Sequence, residues 1–161
     1  MHREAAPGTR RRGGVTSLPG NPSWADGWLD ANVVIRHLTG DPPDMAADAG
    51  RLMREAEEGR ITLHLHPITV AETVWVLSRG YGFDRQAVAG AVRSFLRARG
   101  IRCEASDMVI SALDDYESLN VDFMDALLAR RAAASSAPLC YTFDTRHFRR
   151  LRVACRRPGT P

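Results

Sequence analysis

The alternation of short β-rich segments with helical segments is the feature that most constrains the fold of this chain. The stretches "ITLHLH" (61–66) and "PLCYTF" (138–143) have the composition of strands, and a helical segment follows each of them. Strands that alternate with helices form right-handed βαβ units with parallel strands. The sequence therefore predicts an α/β protein: a single-domain α/β/α sandwich around a central, mainly parallel sheet.

Glycines and short polar residues mark the ends of the predicted elements. Gly40 and Gly59 are expected to end the first two helices, and Asp84 is expected to cap a later one. Asn120 is expected to cap the helix "VDFMDALLARRAAASS". The run "PLCYTF" is expected to form a buried strand that ends at Asp144.

The chain of 161 residues, 44% of them hydrophobic, is long enough for one full core. Residues 1–24 combine Pro, Gly, Ser and Arg without periodicity, which predicts a disordered basic arm. The predicted folded domain covers residues 25–157, and residues 158–161 form a short tail.

Composition excludes several classes of function. All 22 basic residues are arginine, so the chain lacks the lysine that P-loop nucleotide hydrolases and Schiff-base enzymes require. Cys103, Cys140 and Cys155 are far apart and form no CxxC pair, which argues against a disulfide framework or a structural zinc site. No apolar run reaches the roughly 20 residues of a membrane span, and no secretory signal is visible. We predict a cytoplasmic protein.

Four carboxylates stand where a parallel sheet would bring them together. Asp30 and Asp144 follow predicted strands, at the edge where open α/β sheets bind ligands. Glu72 and Asp125 interrupt the apolar helical stretches "ITVAETVWVL" and "VDFMDALLA". Helix capping explains each aspartate after a strand taken alone, and an ion pair with arginine explains Glu72 taken alone. The ordered set of four favours a metal site.

A shared site for these carboxylates needs a compensating cation. Two unit charges about 4 Å apart repel by roughly 4 kcal/mol at an effective dielectric near 20, and burial adds a desolvation penalty. Hard oxygen ligands without a His or Cys cluster favour Mg²⁺ or Mn²⁺. The chemistry that such a site predicts is hydrolysis of a phosphodiester by a metal-activated water.

The segments that carry these acids resemble a known family. "LDANVVIRHL", the glutamate of "TVAETVWVL", "VDFMDALLA" and "YTFDTRHF" together resemble the PIN domain, in particular the VapC-type toxin ribonucleases of bacterial toxin–antitoxin pairs. The resemblance covers roughly residues 27–155. It implies a metal-dependent endoribonuclease whose catalytic and metal-binding residues are Asp30, Glu72, Asp125 and Asp144.

The resemblance also implies supporting residues around this site. Asn32 and Thr142 match polar positions that orient ligands or substrate. Asp122 lies one helical turn before Asp125, where it either favours the helix dipole or hydrogen-bonds a water at the metal. The family often has a further aspartate where this chain has His147, so "TFDTRHF" departs from the form T-x-D-x-D-F.

The expected partner is RNA, with no role for a membrane. The basic segment "RHFRRLRVACRR" (146–157) would contact phosphates, and Arg146, His147 and Arg149 are candidate RNA contacts. The family resemblance further implies a cognate antitoxin protein and a homodimer. The alternative is a catalytically inactive PIN-like module that binds RNA or protein, which the departure at His147 keeps open. A metal-dependent phosphatase is weaker, because no D-x-D pair follows the first strand.

Overall fold

The computed structural model describes residues 25–159. The predicted basic arm, residues 1–24, and the last two residues of the predicted tail lie outside this range. The strands are β1 (Gly27–Trp28), β2 (Leu63–Leu65), β3 (Ile101–Cys103), β4 (Leu139–Tyr141) and β5 (Ala154–Arg156). The helices are α1 (Ala31–Thr39), α2 (Pro43–Glu57), α3 (Pro67–Trp75), α4 (Arg85–Leu96), α5 (Ser106–Leu119), α6 (Phe123–Ala133) and α7 (Thr145–Arg150). A π-helical turn, Val76–Gly80, continues α3.

The first three strands form a parallel sheet in the order β1-β2-β3. Gly27 is in register with Leu63, and Leu63 with Ile101. Helices connect successive strands, as parallel pairing requires. The predicted α/β class and the parallel sheet flanked by helices are therefore confirmed.

The last two strands form a separate sheet. β4 and β5 pair in parallel, with Leu139 in register with Ala154, and neither strand joins the three-stranded sheet within residues 25–159. The prediction that "PLCYTF" forms a buried strand ending at Asp144 is wrong. β4 ends at Tyr141, and of its three residues only Cys140 is buried. An apolar run of this kind is typical of a strand whose two faces are both covered by helices. Here helices cover only one face of the small sheet.

The helix ends follow local capping chemistry. The carboxylate of Asp30 caps α1, and Gly40 ends this helix at a φ of 73°, in the left-handed region that glycine favours. Asp84 caps α4 as predicted, accepting a hydrogen bond from the backbone N–H of Ala87. Asn120 does not cap α6: it ends α5 with a φ of 51°, and Asp122 is the residue that precedes α6.

Helix α6 links the two sheets through their cores. Ala126 is buried in the main core with residues of the three-stranded sheet, whereas Ala129 and Ala132 pack with Cys140 in a smaller core under β4. The first half of α6 therefore packs in the main core and its second half in the smaller one. Within residues 25–159, no helix is both long enough and apolar enough to cross a membrane.

Candidate metal centre

The first turn of α6 provides two carboxylates. Asp122 has the extended backbone of an N-cap residue, but its side chain makes no capping hydrogen bond. Asp125 lies three residues later, on the same side of the helix. The N-terminal end of a helix carries partial positive charge, and both side chains lie at this end of α6. The Asp122 side chain is thereby available to a ligand, which supports the role beside a metal over a purely capping role.

The imidazole of His147 joins α7 to this pair. Its Nδ1 lies 3.0 Å from Oδ2 of Asp125 and 3.2 Å from Oδ2 of Asp144. One ligand atom from each of Asp122, Asp125 and His147 can be chosen so that all lie within 4.8 Å of one another. Among residues 25–159, these three side chains form the group of potential metal ligands that converges on one point.

Asp144 is held in place by its own turn. Its carboxylate accepts a hydrogen bond from the backbone N–H of His147 at 3.3 Å and so caps α7. Its backbone N–H donates to Oγ1 of Thr142 at 3.0 Å. The predicted supporting residue Thr142 therefore acts on the turn that carries Asp144, and Asp144 in turn contacts the His147 imidazole.

Asp30 and Asn32 form a second small constellation at the end of β1. Oδ2 of Asp30 accepts hydrogen bonds from Nδ2 of Asn32 at 3.0 Å and from its backbone N–H at 3.4 Å. Both side chains are exposed. Oγ1 of Thr69, near the start of α3, donates to the carbonyl of Leu29 at 3.4 Å and fixes α3 beside the exit of β1.

Glu72 lies on the exposed side of α3, between the buried Ala71 and Thr73. Its apolar neighbours in the sequence face the core, so the desolvation penalty expected from the apolar stretch does not apply to it. The same holds for Asp30 and Asp144, which are exposed; Asp125 alone of the four predicted carboxylates is half-buried.

The structure brings some of the sequence-predicted residues together and leaves others apart. Asp122, Asp125, Asp144 and His147 meet at the junction of α6 and α7. Within the described part of the chain, Asp30 and Glu72 make no hydrogen bond or ion pair with this group. Arg146 and Arg149 are exposed on α7, on either side of His147.

Comparison with known families identifies the fold. The family model of the PIN domain matches residues 28–154, nearly the whole described chain. This chain belongs to the PIN-domain family. PIN domains are a family of metal-dependent nucleases that bind divalent cations through acidic residues. A search of the curated proteins gave no match.

The residues of this PIN domain fit a divalent cation. Oxygen and nitrogen ligands bound to one ion at about 2.0–2.6 Å lie within roughly 4–5 Å of one another, which is the spacing that Asp122, Asp125 and His147 present. Two carboxylates supply negative charge, and an imidazole can serve as a neutral ligand. The donor set therefore suits a cation that accepts both oxygen and nitrogen ligands.

Sequence reasoning did not place His147 in the cluster. The sequence alone predicts a substrate contact at this residue and a site made of oxygen ligands. The signal that could have located it was the departure from T-x-D-x-D-F, because His147 occupies the position of the family's further aspartate.

Proposed function

We propose that this PIN domain is a metal-dependent endoribonuclease that hydrolyses RNA phosphodiesters with Mg²⁺ or Mn²⁺. The observation that carries the proposal is the convergence of Asp122, Asp125 and His147, with Asp144 in contact with the imidazole. These side chains lie at the start of α6 and in α7, and the chain belongs to a family of metal-dependent nucleases.

The proposed roles follow from the contacts. Asp122, Asp125 and His147 would hold the cation, and Asp144 orients the imidazole through its contact with Nδ1. A bound divalent cation supplies Lewis-acid chemistry: it activates water as the nucleophile and neutralises the charge that develops on the phosphate. Because Nδ1 of His147 faces the two carboxylates, the orientation of its ring is set before any ligand binds.

Asp30 and Glu72 complete the proposed site. Both carboxylates are exposed, and neither forms an ion pair within residues 25–159. In this proposal their free carboxylates would bind a second cation or orient the incoming water. Asn32 holds the Asp30 carboxylate by a 3.0 Å hydrogen bond and thereby limits its rotation.

The basic side chains beside the cluster would bind the RNA backbone. Arg146 and Arg149 are exposed and form no ion pair with other residues in the range 25–159. Guanidinium groups bind phosphate with paired hydrogen bonds, so both can hold the strand next to the cluster. Contacts of this kind are weakly selective for sequence and weaken as salt is raised.

We propose further that the nuclease is the toxin of a bacterial toxin–antitoxin pair, that it forms a homodimer, and that a cognate antitoxin protein blocks the site. Support for these three points comes from the motifs that resemble VapC-type toxins. Induced expression of the chain in a bacterium should arrest growth, and co-expression of the small reading frame next to its gene should relieve the arrest. Undisturbed growth would count against the toxin role.

Incubation of the purified protein with end-labelled RNA tests the nuclease proposal. We expect cleavage products with Mn²⁺ and none with excess EDTA. Asp30→Asn should abolish cleavage without loss of fold, because asparagine caps a helix as well as aspartate does. Asp44→Asn, an exposed acid in the first turn of α2, is the matched control and should cleave normally. Equal cleavage by the Asp30 variant or in EDTA would overturn the proposal.

The second candidate is a PIN-like module that binds RNA or protein without cleaving it. The observation that favours it is His147, which stands at the position of an aspartate and already neutralises Asp125 and Asp144 in part when protonated. In the same assay, RNA binding with no metal-dependent products would support this candidate over the nuclease.

A further inference from the structure

Two of the three cysteines lie next to each other on the small sheet. Cys140, in β4, is in register with Cys155, in β5. Neighbouring strands of a sheet lie about 4.8 Å apart, and a disulfide joins residues whose Cα atoms are roughly 4.4–6.8 Å apart. The backbone spacing of this pair therefore suits a disulfide, and both thiols are free to form one.

Both thiols face the same side of this sheet. The residues that flank the two cysteines along β4 and β5 are exposed: Leu139, Tyr141, Ala154 and Arg156. Because side chains alternate between the two faces of a strand, Cys140 and Cys155 point together to the opposite, covered face. Cys140 is buried there, with 6% of its surface exposed, and Cys155 packs against the same small core.

The two sulfur atoms of this pair are close enough to influence each other. Burial raises the pKa of the Cys140 thiol, and the negative charge of a neighbouring Cys155 thiolate raises it further. Cys103 has a different environment, because it lies in β3 in register with Leu65. Burial and the charge of Glu104 raise the pKa of the Cys103 thiol to about 11. Cys103 is therefore a cysteine of the same chain without a cysteine partner across the sheet.

A bond between these two cysteines would enclose α7 and the turn that precedes it. The chain between β4 and β5 contains Thr142, Asp144 and His147. Just beyond the cysteine pair, the backbone N–H of Thr142 donates to the carbonyl of Arg156 at 3.0 Å, so the two strands stay paired up to this turn. A covalent link at Cys140 would fix both ends of the loop that carries α7.

We propose that Cys140 and Cys155 form a reversible disulfide that closes the loop around α7 and stabilises the fold when the surroundings become oxidising. This inference stands whether or not the chain cleaves RNA. In a reducing compartment such a bond is transient and follows the balance of small thiols and disulfides. In the reduced protein, α7 is held by non-covalent contacts alone, among them the contact between His147 and Asp125.

The reaction with a small disulfide, glutathione disulfide, takes two exchange steps. Cys155, the more exposed thiol, loses its proton and attacks one glutathione sulfur, which forms a mixed disulfide and releases one glutathione thiolate. Deprotonated Cys140 then attacks the sulfur of Cys155 and releases the second glutathione thiolate. The two thiolates take up the two protons, so two protein thiols are oxidised while one glutathione disulfide is reduced. The second step joins adjacent residues of one chain, which offsets the raised pKa of Cys140.

Thiol counting on the folded, full-length protein tests the proposal. The protein is incubated with glutathione disulfide without denaturant, quenched with a maleimide, and analysed by mass spectrometry before and after trypsin digestion. We expect the number of free thiols to fall from three to one, with a disulfide that joins the tryptic peptides 132–146 and 153–156. Dithiothreitol should restore all three thiols.

Cys103→Ser is the matched control, because it removes a thiol outside the pair. This variant should form the same disulfide and keep no free thiol, whereas Cys155→Ser should form no disulfide within the chain. Oxidation should raise the Tm of the wild type and of Cys103→Ser by about 3–10 °C, as expected for closing a loop of roughly 15 residues in a protein of this size. The same treatment should leave the Tm of Cys155→Ser unchanged.

Four results of the thiol count would overturn the proposal: three free thiols after oxidation, a disulfide that contains Cys103, a disulfide between two chains, or a stable glutathione adduct on Cys155 beside a free Cys140. A disulfide between Cys140 and Cys155 that leaves the Tm of the wild type unchanged would also contradict it, because the bond would then not stabilise the fold. These readouts use the wild type alone, so they decide the question even where a serine variant folds poorly.

Discussion

Nδ1 of His147 lies 3.0 Å from Oδ2 of Asp125, and this contact joins α7 to α6 at the candidate metal centre. The same nitrogen lies 3.2 Å from Oδ2 of Asp144, so one imidazole stands between two carboxylates that would otherwise repel each other. His147 therefore has two roles in the arrangement: it is a potential metal ligand, and it holds the surrounding acids together in the absence of an ion.

Replacement of His147 by aspartate should change the metal preference. His147→Asp restores an all-oxygen donor set, so Mg²⁺ should bind about tenfold more tightly by calorimetry. Without metal, the crowded carboxylates should lower the free energy of unfolding by about 1–2 kcal/mol, and Mg²⁺ should restore it. His66→Asp, at the exposed N-cap of α3, makes the same charge change outside the cluster and should not affect Mg²⁺ binding. Unchanged or weaker Mg²⁺ binding by His147→Asp would contradict this role.

The ion pair between α5 and α6 should contribute to stability. Asp115 is 7% exposed, and its two carboxylate oxygens accept hydrogen bonds from Nε and an Nη of Arg130, both at 2.6 Å. Arg130→Ala leaves this buried carboxylate without its partner. Because Arg130 is nearly half exposed and water screens the pair, we expect the free energy of unfolding in urea to fall by only about 1–3 kcal/mol. Arg131→Ala, an exposed neighbour, should change stability by less than about 0.5 kcal/mol. Equal effects of the two substitutions would show that the ion pair does not support α6.

Substitution of two glycines by alanine should change the stability of the protein in opposite directions. Gly100 has a φ of +81°, and a Cβ there would lie 2.3 Å from the carbonyl oxygen of Ala56. Gly100→Ala should therefore lower the free energy of unfolding by roughly 2 kcal/mol or more. Gly90 lies inside α4 with open space around it, and Gly90→Ala should stabilise by about 0.5–1 kcal/mol. Thermal unfolding of both variants checks the pair. A stable Gly100→Ala protein would mean that the turn before β3 differs from the one described.

Much of the fold could be predicted because it is encoded locally. The alternation of strands and helices, the Asp30 and Asp84 caps and the glycine at the end of α1 each depend on a few neighbouring residues. The division into two sheets could not be predicted in this way. The run around Cys140 is apolar enough for a doubly covered strand, and its one-sided burial depends on how α6 and α7 pack against it.

The candidate site was predicted in part for the same reason. Asp125 and Asp144 were recognised from their positions after a strand or within a helix, and both lie in the cluster through His147. The imidazole itself enters only when α7 docks on α6, a tertiary contact between residues 22 positions apart in the chain.

Titration of the metal-free protein with Mn²⁺ by calorimetry tests the central claim that acids distant in sequence form one cation site. We expect saturable binding by the wild type and by Asp44→Asn, and an affinity at least about tenfold weaker for Asp125→Asn, which loses a ligand charge at nearly constant size. Equal Mn²⁺ affinities for the wild type and Asp125→Asn, or no saturable binding by either, would contradict the account.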